Sequence, residues 1–201
     1  MQSVQPPKPT TARKRTLKRS YNLQRLYTTD KYSNEEILEE SIPVLYEIFN
    51  KYAPLSKIAP PYRNFYDIGS GVGKVVIGIA KQYSFLKSVG IEIDSEKVVH
   101  ANTALNRIKD DSLKRRIEML CISMNDPTIN YSNGCWFFIS NLDFSYEDNS
   151  NLITKLGNES KIGSIIVSLK EISSDKFKQL NYISLPMSWS QDSKVYLYIR
   201  V

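Results

Sequence analysis

The sequence predicts an α/β fold: a doubly wound, mostly parallel seven-stranded sheet with a C-terminal antiparallel hairpin. Three observations carry that prediction. Residues 65–73, FYDIGSGVG, read as a short buried strand that ends in an acid and runs into three glycines spaced two apart. The run KVVIGIA at 74–80 then continues as a helix. Downstream, short β-branched runs alternate with helical stretches, which is the pattern of a parallel sheet covered on both faces. The end of the chain changes character, because 182–185 and 195–201 read as two strands joined by a turn.

The elements follow in order. Residues 1–20, with Pro6, Pro7 and Pro9, have the composition of a flexible basic tail. Residues 21–62 read as a helical N-terminal segment. A helix starts at Ser33, where Ser33 and Glu36 have capping-box spacing. Ile37, Leu38, Leu45, Ile48 and Phe49 give it an apolar stripe, and Pro43 implies a kink or a division into two helices. A proline-punctuated connector covers 53–62. The alternating domain, 63–201, then has strands at 65–68, 89–93, 117–122, 135–140 and 165–168, with helices at 72–82, 95–108 and 151–156.

Charge and composition bound the function. The chain has 201 residues and a net charge of +6. Residues 1–29 hold seven basic residues and no acid, so the rest nets −1. Arg13, Lys14, Arg15, Lys18 and Arg19 form a block suited to a polyanion such as nucleic acid, or to a nuclear-localisation signal; a solvated tail is the plainer reading. No apolar run reaches the roughly 18–20 residues of a membrane span, so no membrane partner is expected. The polar, proline-rich start does not have a secretory pattern. Cys121 and Cys135 sit in apolar runs and read as buried thiols of a reducing compartment. The single histidine, His100, cannot build a metal site alone, and no metal is expected.

The glycine turn is the centre of a nucleoside pocket. It brings backbone N–H groups and a helix N-terminus against a ligand. Nineteen residues after Gly73, the second strand ends at Glu92, where a carboxylate suits two ribose hydroxyls. The dinucleotide fingerprint G-x-G-x-x-G is absent, since the spacing is Gly69, Gly71, Gly73. Asp67 just before the turn would repel a pyrophosphate but suits an amine and a sulfonium. The pocket therefore points to S-adenosylmethionine, with Asp67, Gly69, Ser70, Gly71, Gly73 and Glu92 as its cofactor-binding residues. Asp126, after the third strand, is the candidate acceptor for the adenine amine; its plainer role is to cap the turn before Pro127.

DIGSGVGKVV followed by VGIEI resembles the disruptor-of-telomeric-silencing family of non-SET histone lysine methyltransferases. Residues 140–144 (SNLDF), 163–170 (GSIIVSLK) and 187–198 (MSWSQDSKVYLY) resemble three further family segments in the family's order, and 31–36 (KYSNEE) loosely resembles its loop over the methionine moiety. The resemblance spans roughly 21–201. It implies that 63–201 is a class I S-adenosylmethionine-dependent methyltransferase domain, and that the activity is histone lysine methylation in a nuclear, nucleosome-bound setting. It places Tyr32, Glu35 and Asn141 at the cofactor, and Asn141, Phe144, Trp189 and Tyr196 around a lysine channel. Lys74 departs from the family, which usually has a Gln there.

An apolar, aromatic channel suits this chemistry. A lysine amine, with a pKa near 10.4 in water, must lose its proton to attack a methyl group, and desolvation favours the neutral form. Strand packing is the plainer role for Trp189 and Tyr196. Two other functions fit part of the sequence. A nucleic-acid base methyltransferase would use Asn141-Leu-Asp-Phe144 as a version of [Asn/Asp]-Pro-Pro-[Tyr/Phe] without its prolines. A non-catalytic binding protein on the same fold would use the basic tail as a tether.

Overall fold

The computed structural model describes residues 23–27, 37–83 and 86–201. Seven strands, β1 (Asn64–Ile68), β2 (Lys87–Glu92), β3 (Ile117–Cys121), β4 (Gly134–Ile139), β5 (Ile165–Ser168), β6 (Phe177–Met187) and β7 (Ser190–Arg200), form one sheet. Their order is β3-β2-β1-β4-β5-β7-β6. The first five are parallel, and β7 pairs antiparallel with both β5 and β6. The predicted fold class is the observed one.

Why these segments sit centrally is plain from their side chains. All of β1 and all of β4 are buried, as expected of strands covered on both faces. On one face, Phe65, Trp136 and Phe138 pack with α1 (Ser41–Tyr52) and α2 (Lys74–Gln82). The two helices approach closely at Gly78, where a Cβ would meet Ile42 Cγ2 at 2.7 Å. On the other face, Tyr66 stacks on Phe137 at 5.6 Å, and both meet the edge of Tyr131. Leu152, Ile153 and Leu156 of the helix Tyr146–Glu159 complete that core.

Several expectations need correction. The expected helix start at Ser33 lies outside the described residues; among these, α1 begins at Ser41, and Ile37, expected on its apolar stripe, makes an antiparallel bridge to Met187. Pro43 neither kinks nor divides the helix, because it lies in the first turn, where its missing N–H would have had no helical partner. The 151–156 helix is longer, Tyr146–Glu159: Ser145 caps it by accepting from the Asp148 amide at 3.0 Å, and Glu147 and Asp148 favour its first turn. A short helix, Asp111–Lys114, follows α3 (Ser95–Asn106), and Asp110 caps it. The hairpin strands are longer than expected and enclose a two-residue turn, Ser188 and Trp189. The basic tail, the Ser33 cap, Tyr32 and Glu35 lie outside the described residues.

Cys121 is exposed rather than buried, because it ends the edge strand β3. Cys135 is buried in β4, and burial pushes its thiol up to about 12. A thiol reagent at pH 8 is therefore expected to label Cys121 in the native protein and Cys135 only after unfolding. Peptide mass spectrometry checks this, and native labelling of Cys135 would contradict it.

Candidate active site

The site forms at the C-terminal ends of β1, β2 and β4. The chain winds outward from β1 in both directions, so a crevice opens between β1 and β4, the switch point where open α/β sheets bind ligands. The turn after β1 is tied to β2, because the Gly69 and Ser70 amides donate to Ile91 O at 2.9 and 3.0 Å. Gly69 and Gly71 have φ of 78° and 53°, a backbone region that disfavours side chains. A Cβ at Gly69 would meet Phe144 Cζ and Ser140 O, each at 3.0 Å. Phe144 and Ser140 O fill the space a side chain at Gly69 would need, so glycine is required there on both counts.

Two cavities meet over this turn. The larger is about 330 Å³, lined by Gly69, Gly71, Glu92, Met124, Phe144 and Asp148 among others. The smaller, about 30 Å³, is lined by Ile37, Asp67, Gly69, Ser70, Lys74 and Phe138 among others. Glu92 is held firmly: Oε2 accepts from the Gly71 amide at 2.9 Å, and Oε1 from the Ile93 and Asp94 amides, each at 2.9 Å. Asp67 is 1% exposed at the floor of the smaller cavity. Tyr27 reaches this region from the N-terminal segment, donating to Val72 O at 3.0 Å and placing its ring beside the Lys74 ammonium at 5.5 Å.

The structure brings Asp67, Gly69, Ser70, Gly71, Glu92 and Phe144 to these cavities. It assigns other positions different work. Gly73 does not line either cavity; it is the N-cap of α2 at φ 79°, and a Cβ there would meet Met119 Cε. Asp126 also lies outside, since its Oδ1 accepts from the Thr128 amide and hydroxyl at 2.8 and 2.5 Å, and those bonds hold its carboxyl below the usual range. Its turn-capping role is the one observed. Asp148 and Asp143 line the larger cavity instead. Neither was singled out from sequence: Asp148 reads as a first-turn acid of its helix, and Asp143 as a turn residue between Asn141 and Phe144.

Asn141 is fully buried, and its amide is engaged by the helix Tyr146–Glu159 and the end of β5 rather than lining either cavity. Nδ2 donates to Asn149 Oδ1 at 2.7 Å, and Oδ1 accepts from Ser168 Oγ at 3.2 Å and the Lys170 amide at 2.9 Å. Lys170 Nζ in turn donates to Phe144 O at 3.2 Å. Asn141 is thus a positioning residue that fixes the loop carrying Phe144. Tyr196 lies on the same sheet edge, in register with Ser168, and does not line either cavity; Lys194 Nζ sits 4.6 Å from its ring centroid. Trp189 is 43% exposed at the hairpin turn, clear of both cavities. The reason is register: β5 ends opposite Tyr196, so residues 190–195 of β7 run past the sheet edge and carry the turn outward. The Ile37 bridge to Met187 links the base of that turn to the wall of the smaller cavity.

Residues 22–196 match the family model described as histone methylation protein DOT1. This chain belongs to the DOT1 histone methylation family. No curated protein matches it. Among solved structures, it is similar to the glycopeptide N-methyltransferase MtfA complexed with S-adenosylmethionine, at 8% identity and a TM-score of 0.59, covering 86% of this chain and 96% of that one. A candidate caffeoyl-CoA O-methyltransferase from Staphylococcus aureus gives 9% identity, a TM-score of 0.66 and coverage of 94% and 97%. Precorrin-6y C5,15-methyltransferase from Geobacter metallireducens GS-15 gives 12%, 0.55, 87% and 93%. These likenesses establish the class I methyltransferase fold.

The DOT1-family chain is an S-adenosylmethionine-dependent methyltransferase. Its residues fit that cofactor: Gly69 and Gly71 line the larger cavity, Glu92 presents a carboxylate anchored by three backbone amides, and the Asp67 carboxyl lies in the adjoining smaller cavity. Replacing Asn141 by Ala removes three hydrogen bonds that hold the 140–145 loop. Turnover is expected to fall about ten- to a hundredfold, while cofactor affinity changes less than about threefold. Calorimetry and steady-state kinetics separate the two; equal losses would place the Asn141 amide on the cofactor instead.

Proposed function

We propose that this DOT1-family chain is a protein-lysine methyltransferase acting on a nucleosomal histone lysine. Membership of a histone methylation family over residues 22–196 carries the reading. When bound, S-adenosylmethionine supplies an electrophilic methyl group. The chain's own residues hold and position. Glu92 takes the ribose hydroxyls, and Asp67 takes the cationic amino-acid end. Ile37, Val75 and Phe138 give the smaller cavity apolar walls, and Phe144 gives the larger one an apolar wall that would exclude water. An incoming ammonium beside the Phe144 ring would be disfavoured by desolvation, which favours the neutral, nucleophilic amine. No side chain is needed as a dedicated base if water takes the proton.

Trp189 and Tyr196 belong to the acceptor side of this proposal, as a rim on the projecting hairpin rather than as cavity walls. The basic residues Arg13, Lys14, Arg15, Lys18 and Arg19 would add salt-dependent contact to nucleosomal DNA, with nuclear localisation following from the same run. The base-methyltransferase reading is disfavoured by one observation. Its Asn must accept from the target amine, yet Asn141 Oδ1 already accepts from Ser168 and Lys170.

The test offers isotope-labelled S-adenosylmethionine and the full chain to nucleosomes, free histones, RNA and DNA in parallel, with Asp67→Ala as control. Label on a histone, lost in the control, is the expected result. Label on nucleic acid would replace this proposal with the base-methyltransferase reading. Cofactor binding without any transfer would reject all four acceptors, and loss of cofactor binding itself would leave a binding protein on this fold.

A further inference from the structure

We propose that a cationic pocket at the opposite end of the sheet binds the phosphate backbone of nucleic acid. The pocket, about 270 Å³, is lined by Lys81, Arg107, Lys109 and Arg116, with Asp110 as its one acid and Leu26, Ile108 and Leu113 as its apolar wall. Lys81 stands at the C-terminal end of α2, and Arg116 immediately precedes β3, so the pocket lies at the N-terminal strand edge. The cofactor cavities occupy the C-terminal edge. The pocket is therefore a separate surface, and its function does not depend on which acceptor is methylated.

Three features make it an anion site rather than a scatter of surface charge. Its guanidinium groups are pre-positioned: Arg107 Nη1 donates to Leu26 O at 2.7 Å, and Arg116 Nη1 to Ala80 O and Tyr83 O at 2.9 and 2.8 Å. Asp110 is engaged as a helix cap, accepting from the Ser112 and Leu113 amides at 2.9 and 3.1 Å. Lys81 is partly buried, and desolvation pushes its ammonium below the usual range against the opposing pull of Glu39. Two guanidinium and two ammonium groups around one concavity suit phosphate oxygens.

The charge pattern of the sequence points to nucleic acid as the phosphate source. The pocket wall includes Leu26, and the basic block ends at Arg19, four residues before Leu23. Seven basic residues without an acid over 1–29, in a chain that also carries this cationic pocket, suit a ligand with repeating phosphates.

The test measures binding of a short labelled DNA duplex to the full chain across a salt series. Lys81→Gln with Lys109→Gln is expected to lower the slope of log affinity against log salt by about two, roughly one per lysine. Lys51→Gln with Lys178→Gln, on other surfaces, is expected to leave it unchanged. An unchanged slope in the first pair, or an equal drop in the second, would overturn the proposal. So would competition by an acidic peptide with no measurable duplex binding, or occupancy by inorganic phosphate alone. Unchanged calorimetric binding of S-adenosylmethionine shows that the variant is folded. If the pair is not, Lys109→Gln alone, at an exposed position, is expected to lower the slope by about one.

Discussion

Glu92→Ala is expected to weaken S-adenosylmethionine binding about a hundredfold. Both oxygens of this carboxylate are oriented by backbone amides, of Gly71 on one side and of Ile93 and Asp94 on the other. Each hydrogen bond from a ribose hydroxyl to a fixed anion is worth about 1.5–3 kcal/mol, and about 1.4 kcal/mol is tenfold in affinity. Two such bonds account for the predicted loss. The substitution also removes the acceptor that pins Gly71, so the glycine turn loses an anchor. Glu92→Gln keeps the shape and one acceptor oxygen, and should lose less. Calorimetry measures both variants. A loss below about threefold in the Ala variant would mean that the ribose is held by another group.

Trp136→Ala is expected to destabilise the fold by about 3–5 kcal/mol, the usual range for deleting a large buried aromatic. The indole is fully buried in the central strand β4. It stacks on Phe49 at 5.3 Å with an 11° interplanar angle, and Tyr46 meets it edge-on at 5.7 Å. Its Nε1 donates to Ala53 O at 2.9 Å, tying the end of α1 to the sheet. Deleting it therefore opens a cavity, removes two aromatic contacts and leaves a carbonyl without its donor. Trp136→Phe restores part of the volume but not the donor, at an expected cost of about 1–3 kcal/mol. Urea unfolding measures both. A shift below about 1 kcal/mol for Ala would show that the site collapses around the smaller side chain.

These two residues show how unevenly sequence reports on structure. Glu92 was legible because its chemistry is local: an acid at a strand end, after a glycine turn, at a set spacing. Trp136 was legible only as one member of an apolar strand, because its partner Phe49 lies on a distant helix. Asn141 was legible as a site residue, but its direction was not. That depends on Ser168, Lys170 and Asn149, two of them on segments more than twenty residues away. Asp126 and Gly73 matched the expected motif positions, yet each is occupied with local work, a turn bond and a helix start. The cationic pocket gave no sequence signal, since Lys81, Arg107, Lys109 and Arg116 are scattered among ordinary surface charges.

By itself the sequence determined the α/β class, the five parallel strands and terminal hairpin, the glycine turn and the anchoring acid. These rest on short-range periodicity and backbone chemistry, which a linear string records. Tertiary structure alone decided which side chains meet. Strand register sent Trp189 outward and placed Tyr196 opposite Ser168. Packing between α1 and the sheet buried Trp136, and the docked segment around Leu26 closed the cationic pocket. Those outcomes depend on contacts between residues far apart in the chain, and no local pattern encodes the distance between them.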